Sequence, residues 1–180
     1  MCLRASPTLV ERTETMREEM AFGSGDYVVY PTHGVGKVIG IETREIAGQE
    51  LQLFVIAFDR DRMTLRVPIG KVAHAGLRRL STRKVMENAL TKLKGRARTK
   101  KTMWSRRAQE YEAKINSGDP VSIAEVVRDL YPNVGQPDQS FSERQIYEAA
   151  FDRLACELAA LECIDKETAT EKLEELLSAA

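Results

Sequence analysis

The hydrophobic period of this 180-residue chain changes once, near Ser81. Before that point apolar residues come in short runs cut by glycine and proline. Tyr27-Val28-Val29-Tyr30 stops at Pro31, Val38-Ile39 and Ile41 flank Gly40, Leu51 to Phe58 is nearly continuous, and Met63 to Val67 closes at Pro68. Short β-rich runs punctuated in this way describe a small antiparallel barrel. After Ser81 apolar residues recur every three or four positions, the period of helices packed on one face. No single element serves both periods. The expected class is therefore α+β: an N-terminal β-barrel followed by a compact all-α domain of about five helices.

Residues 1–20 are expected to be a disordered tail, 21–76 the barrel and 77–180 the helical domain. In the barrel, Leu51 to Phe58 is apolar enough to be the central strand. Gly40 fits a bulge, and Gly34 and Gly36 fit a turn that needs positive φ or close backbone approach. Asp59-Arg60-Asp61-Arg62 reads as a charged hairpin tip. In the second half, Ser81 or Thr82 caps a helix bearing Val85, Ala89 or Leu90, and Leu93, which ends at Gly95. A second helix runs from about Thr102 to Asn116, with Trp104, Ala108, Tyr111 and Ile115 on one stripe and Gly118 beyond its end. Asp119-Pro120, or the box Ser122-x-x-Glu125, opens a third. Ser140-x-x-Glu143 opens a long fourth helix, and Asp165 a fifth.

The net charge is zero, yet its distribution is strongly uneven. Residues 81–115 carry eleven Lys and Arg against three Glu, a net of +8, whereas residues 116–180 carry five against fourteen, a net of −9. A solvated face is the ordinary reading of a charge run. Eleven positives in 35 residues of a neutral chain point instead to phosphates, Lys100 and Lys101 included. The only tryptophan, Trp104, sits inside this stretch beside Arg106 and Arg107. Such an aromatic either packs in the core or stacks on an exposed base, wedging into a weakened duplex. Base-specific readout is not expected.

Other chemistry finds little support. Cys2, Cys156 and Cys163 make no disulfide framework: Cys156 and Cys163 are seven residues apart on a helix, about 10 Å, too far to bridge. They are expected to be reduced core thiols. Two histidines and no CxxC leave no zinc pattern, and neither His33 nor His74 has a catalytic partner at motif spacing. No enzyme activity, metal or cofactor is expected. Nor does any run approach the roughly 20 apolar residues of a membrane span, so a monomeric cytoplasmic protein is anticipated. Tyr27, Tyr30, Phe54 and Phe58 fit core positions better than a methyl-lysine cage. An SH3-like or Tudor-like barrel is a frequent docking unit.

The pieces GDYVVYPTHGVGKV (Gly25–Val38), IETREIAG (Ile41–Gly48), LRVP (Leu65–Pro68), WSRR (Trp104–Arg107) and SGDPVSIAEVVRDL (Ser117–Leu130) resemble the CarD/CdnL family of bacterial RNA polymerase-binding regulators, in family order over roughly residues 22–177. The barrel also resembles the polymerase-interacting domain of transcription-repair coupling factors, whose helicase motifs are absent here. The resemblance implies a Tudor-like domain docked on the β subunit of RNA polymerase, at its β1 lobe. It also implies a helical domain meeting promoter DNA at the upstream edge of the transcription bubble. By position, Arg44 and Arg66 match the polymerase-contacting arginines, Trp104 the minor-groove wedge, and Arg106 and Arg107 the DNA-backbone arginines. Gln109 stands where the family often has lysine. The implied function is stabilisation of the open promoter complex. The alternatives are an architectural DNA-binding protein acting without polymerase and a protein-only adaptor.

Overall fold

The computed structural model describes residues 22–46, 48–59, 61–97, 102–131 and 140–179. The expected tail at 1–20 lies outside these residues, as do Lys100 and Lys101. Strands β1 (Tyr27–Tyr30), β2 (Gly34–Ile46), β3 (Gln49–Phe58), β4 (Met63–Pro68) and β5 (Arg78–Arg79) form one antiparallel sheet in the order β4-β3-β2-β1-β5. The apolar run 51–58 is thus central, flanked by β2 and β4. Alternate residues Phe54, Ile56 and Phe58 meet Val28, Val38, Val67, Phe22 and Leu77 in a buried cluster. The register of β2 on β3 shifts between Val38 and Gly40, the bulge expected there. Gly34 has φ of +82°, and a Cβ on Gly36 would lie 2.7 Å from the Phe58 ring. The two glycines therefore answer different needs, one conformational and one steric.

Two strands differ from expectation. β2 runs from Gly34 to Ile46, so it takes in the expected Gly34–Gly36 turn and passes beyond the apolar Val38-Ile39 and Ile41, because Thr43, Arg44 and Glu45 pair with Gln52, Leu51 and Glu50 in a ribbon whose side chains face water. The sheet also continues past residue 76: Leu77 joins its core and Arg78–Arg79 pairs with Val29 and Val28. Of the aromatics expected inside, Tyr27 is 43% exposed, its ring covered by Lys37 Nζ at 5.7 Å.

Five helices follow: α1 (Arg83–Leu93), α2 (Trp104–Asn116), α3 (Pro120–Leu130), α4 (Phe141–Glu162) and α5 (Lys166–Ser178). Thr82 Oγ1 accepts from Val85 N at 3.4 Å, and Ser140 Oγ from Glu143 N at 3.2 Å. For α3 the Asp119-Pro120 start prevails, with Asp119 Oδ2 accepting from Ser122 N at 2.9 Å and from its hydroxyl at 2.7 Å. Such a cap is worth about 1 kcal/mol. On α1 Met86, not Val85, turns inward with Ala89 and Leu93. The helical core gathers Tyr111, Ile115, Val126, Val127, Leu130, Leu154, Leu158 and Leu173. Cys163 ends α4 with φ of +56° and is exposed, while Cys156 is half-buried. The expectation of core thiols thus fails for Cys163, which the chain uses as a left-handed helix stop. No described helix is long and apolar enough to cross a membrane.

Two arginines join sheet and helices. Arg78 on β5 donates to both oxygens of Glu157 on α4, at 2.8 and 3.0 Å, and to the carbonyl of Gly118. Glu157 is 2% exposed and also accepts from Ser81 N at 3.0 Å. Arg153, also on α4, donates to the carbonyls of Pro31 at 2.6 Å and Thr32 at 2.5 Å in the β1–β2 turn. It reaches Ile115 near the end of α2 at 2.9 Å. Buried charges are held in this way only when paired and hydrogen-bonded.

Candidate functional site

Helix α2 starts at Trp104, so the indole stands at the helix entrance, just after the basic loop. Its ring is half-buried: it packs on the helical core beside Tyr111, centroids 6.4 Å apart, and keeps part of its surface in water. Its Nε1–H donates to Ser142 Oγ on α4 at 2.9 Å. Two large apolar residues flank it in sequence or across this bond. Met103 is 80% exposed and Phe141 is 74% exposed. Exposed apolar side chains gathered at one end of a helix pair are characteristic of contact surfaces. Neither Met103 nor Phe141 was legible as a site residue: Phe141 lies 37 positions away and only folding brings the start of α4 to the start of α2.

The two arginines after the tryptophan differ. Arg106 is exposed. Arg107, three residues from Trp104 and so on its face of the helix, places its guanidinium over the indole, Cζ 5.3 Å from the ring centroid. Its Nε is buried without a hydrogen-bond partner. Further along α2, Lys114 Nζ binds Glu125 Oε2 of α3 at 2.7 Å, which holds that carboxyl below its ordinary range. The structure therefore gathers Trp104, Arg106 and Arg107 at one helix end.

The second surface is a sheet face. Glu42 and Arg44 alternate along β2 and point the same way as their partners Leu53 and Leu51, and Arg66 pairs opposite Val55. Arg66 Nε lies 3.0 Å and Arg44 Nε 3.3 Å from Glu42 Oε2. The hydrogen bond from Arg66, then the charges of both arginines, hold the exposed Glu42 carboxyl below its ordinary range. Leu53 and Val55 are buried beneath this cluster at 4% and 7% exposure, outside the barrel core proper. Register places Leu53 and Val55 on the same sheet face as Glu42, Arg44 and Arg66. Folding thus brings Arg44 and Arg66 together on one carboxylate. They lie on a different module from Trp104.

Among the described residues no group of three or more His, Cys, Asp or Glu is placed to hold a metal ion. His33 Nδ1 lies 3.1 Å from Asp61 Oδ2 and its ring packs beside those of Tyr30 and Phe58, a structural setting for the turn.

The site thus has two parts, a sheet module with a paired-arginine face and a helical module with a half-buried tryptophan at the start of a helix. Residues 22–81 match the family described as CarD-like/TRCF RID domain, and residues 88–174 match CarD, C-terminal domain. The chain belongs to the CarD/CdnL family, as a CarD-like transcription factor that interacts with the transcription machinery. It is 27% identical over 143 residues to YdeB of Bacillus subtilis (strain 168), covering 79% of this chain and 94% of that protein. CdnLNt from Myxococcus xanthus is 42% identical over 34% of this chain and 87% of its own, with a TM-score of 0.30, so the family statement rests on the two domain matches.

Proposed function

We propose that the protein docks on the RNA polymerase β subunit, at its β1 lobe, through the sheet face of Arg44 and Arg66. Held there, it stabilises the open promoter complex by wedging Trp104 into the minor groove at the upstream edge of the bubble. The observation that carries this reading is the half-exposed indole between the exposed Met103 and Phe141 at the start of a helix in the basic segment. Domain matches of the polymerase-interacting type and of the CarD C-terminal type support it, as does the provisional transcription-factor designation of YdeB. The protein acts without catalysis.

The mechanism follows from differential binding. A base-stacking contact is worth roughly 1–3 kcal/mol, and unstacking an intact step costs a few. The wedge therefore gains only where pairing is already lost, and it shifts the equilibrium toward the open state by that difference. Docking on polymerase raises the local concentration of the tip, so a weak contact suffices. Arg106 and the neighbouring lysines Lys100 and Lys101 supply sequence-independent phosphate contacts. On the sheet face, Glu42 occupies both arginines in the free protein, and a partner carboxylate would take its place.

The test is the lifetime of open complexes formed with purified polymerase holoenzyme. Trp104→Ala shortens it at unchanged fold; equal lifetimes reject the wedge. The double variant Arg44→Glu, Arg66→Glu loses polymerase binding while the helical module stays folded; unchanged binding rejects the docking face. Tight, salt-sensitive binding to duplex without polymerase would favour an architectural role.

A further inference from the structure

Arg106 and Arg107 are equal in charge and adjacent in sequence, and their surroundings separate them. Arg106 projects into water. Arg107 sets its guanidinium over the Trp104 ring, Cζ 5.3 Å from the centroid, and its Nε is buried without a hydrogen-bond partner. A guanidinium binds phosphate through in-plane N–H donors, and burial of Nε withdraws from solvent the side-on fork that Nε forms with a terminal nitrogen. The opposite anchor of the indole is Ser142. Its Oγ accepts the Nε1–H at 2.9 Å and lies 3.2 Å from Ser140 Oγ, which itself accepts from Glu143 N at 3.2 Å. The indole is thus moored to the first turn of α4 by its nitrogen and covered by Arg107 on a face.

We propose that Arg107 and Ser142 act on DNA through Trp104: they are positioning residues that hold the indole in its wedge orientation, and Arg107 makes no phosphate contact of its own. This rests on the wedge reading above and deepens it. An indole already confined to one orientation loses less rotamer freedom when it inserts. Ser142 also holds the indole N–H, which must leave the serine if it is to donate to a base edge. The serine hydroxyl is a replaceable acceptor, so the mooring preserves orientation while leaving the donor transferable.

The experiment has two arms, both on the full chain, with folding checked by thermal melting. Trp104 is the only tryptophan, so intrinsic fluorescence reports it alone. Arg107→Ala and Ser142→Ala are expected to raise acrylamide quenching and shift the emission, while Arg106→Ala leaves both unchanged. Unaltered quenching in Arg107→Ala and Ser142→Ala overturns the mooring. In the second arm, stabilisation of open complexes on polymerase holoenzyme is measured over a KCl series. Losing a phosphate contact reduces the log–log salt slope by about 0.7–0.9. Arg106→Ala is expected to do so. Arg107→Ala is expected to lower the stabilisation with the slope intact, and to have no further effect in a Trp104→Ala background. Arg107→Lys keeps the charge and loses the guanidinium, so it does not restore the low quenching of the parent protein. A reduced slope in Arg107→Ala, additive with Trp104→Ala and rescued by lysine, overturns the proposal. If Trp104→Ala itself is silent on polymerase, the wedge fails and with it the action on DNA, whereas the fluorescence arm still decides the mooring.

Discussion

Removing the carboxylate of Glu157 tests the joint between sheet and helices. Glu157 accepts three hydrogen bonds, two from Arg78 and one from Ser81 N, and is 2% exposed. Breaking one partner of a buried pair costs about 3–5 kcal/mol, because the other charge is left uncompensated. Arg78 is not so stranded. Its side chain is 30% exposed, and it keeps bonds to Ser81 Oγ at 3.2 Å, to the Arg79 carbonyl at 2.9 Å and to the Gly118 carbonyl. Water and these acceptors relieve part of the loss, so Glu157→Ala should destabilise by roughly 2–4 kcal/mol. For a chain of this size that lowers Tm by about 4–16 °C. Urea unfolding followed by Trp104 fluorescence and by far-ultraviolet circular dichroism measures the cost. The matched control is Glu162→Ala, whose pair with Lys172 lies at the surface and is worth about 0–1 kcal/mol. A Glu157→Ala loss no larger than that of the control refutes the reasoning.

Two further outcomes follow from local packing and charge. Gly36→Ala places a Cβ against Phe58 and Ile56, both fixed in the barrel core, and should cost about 1–3 kcal/mol by overpacking, read by denaturant unfolding. Lys114→Gln should raise the Glu125 pKa toward the ordinary 4.5, followed by carboxyl-carbon NMR titration. The folded pKa is depressed, so the bond to Lys114 supports the fold above about pH 4.5 and that support is lost as pH falls through the folded value, a loss absent from the variant.

The strands and helices were legible because their apolar residues keep a period, from Phe54, Ile56 and Phe58 on β3 to Leu154 and Leu158 on α4. The outer part of β2 was not, because Thr43-Arg44-Glu45 shows no apolar alternation and its pairing depends on the partner strand. β5 is two arginines long and has no period at all. The site divides in the same way. Trp104 and the arginines around it are marked by rarity and charge. The partners that define their state, Ser142 for the indole and Glu42 for both Arg44 and Arg66, are ordinary polar residues that only folding brings near. The equivalence of Arg106 and Arg107 in sequence disappears for the same reason: helical spacing puts one in water and the other on the ring.

The clamp made by Arg153 has a mechanical consequence. One guanidinium grips the β1–β2 turn and the carbonyl of Ile115, close to the C-terminal end of α2. From that fixed point α2 runs along the helical core to Trp104, which Ser142 of α4 holds at its far end. At 1.5 Å per residue, the 11 steps from Ile115 back to Trp104 amount to roughly 17 Å. The protein therefore carries a gauge of set length between its sheet module and its aromatic tip. Removing one residue from α2 would shorten the gauge by only about 1.5 Å but swing the tip by about 100°. Removing seven would return the tip nearly to its original bearing, about 10 Å short. Reach and heading are separable quantities in this arm, and its helical pitch sets the exchange rate between them.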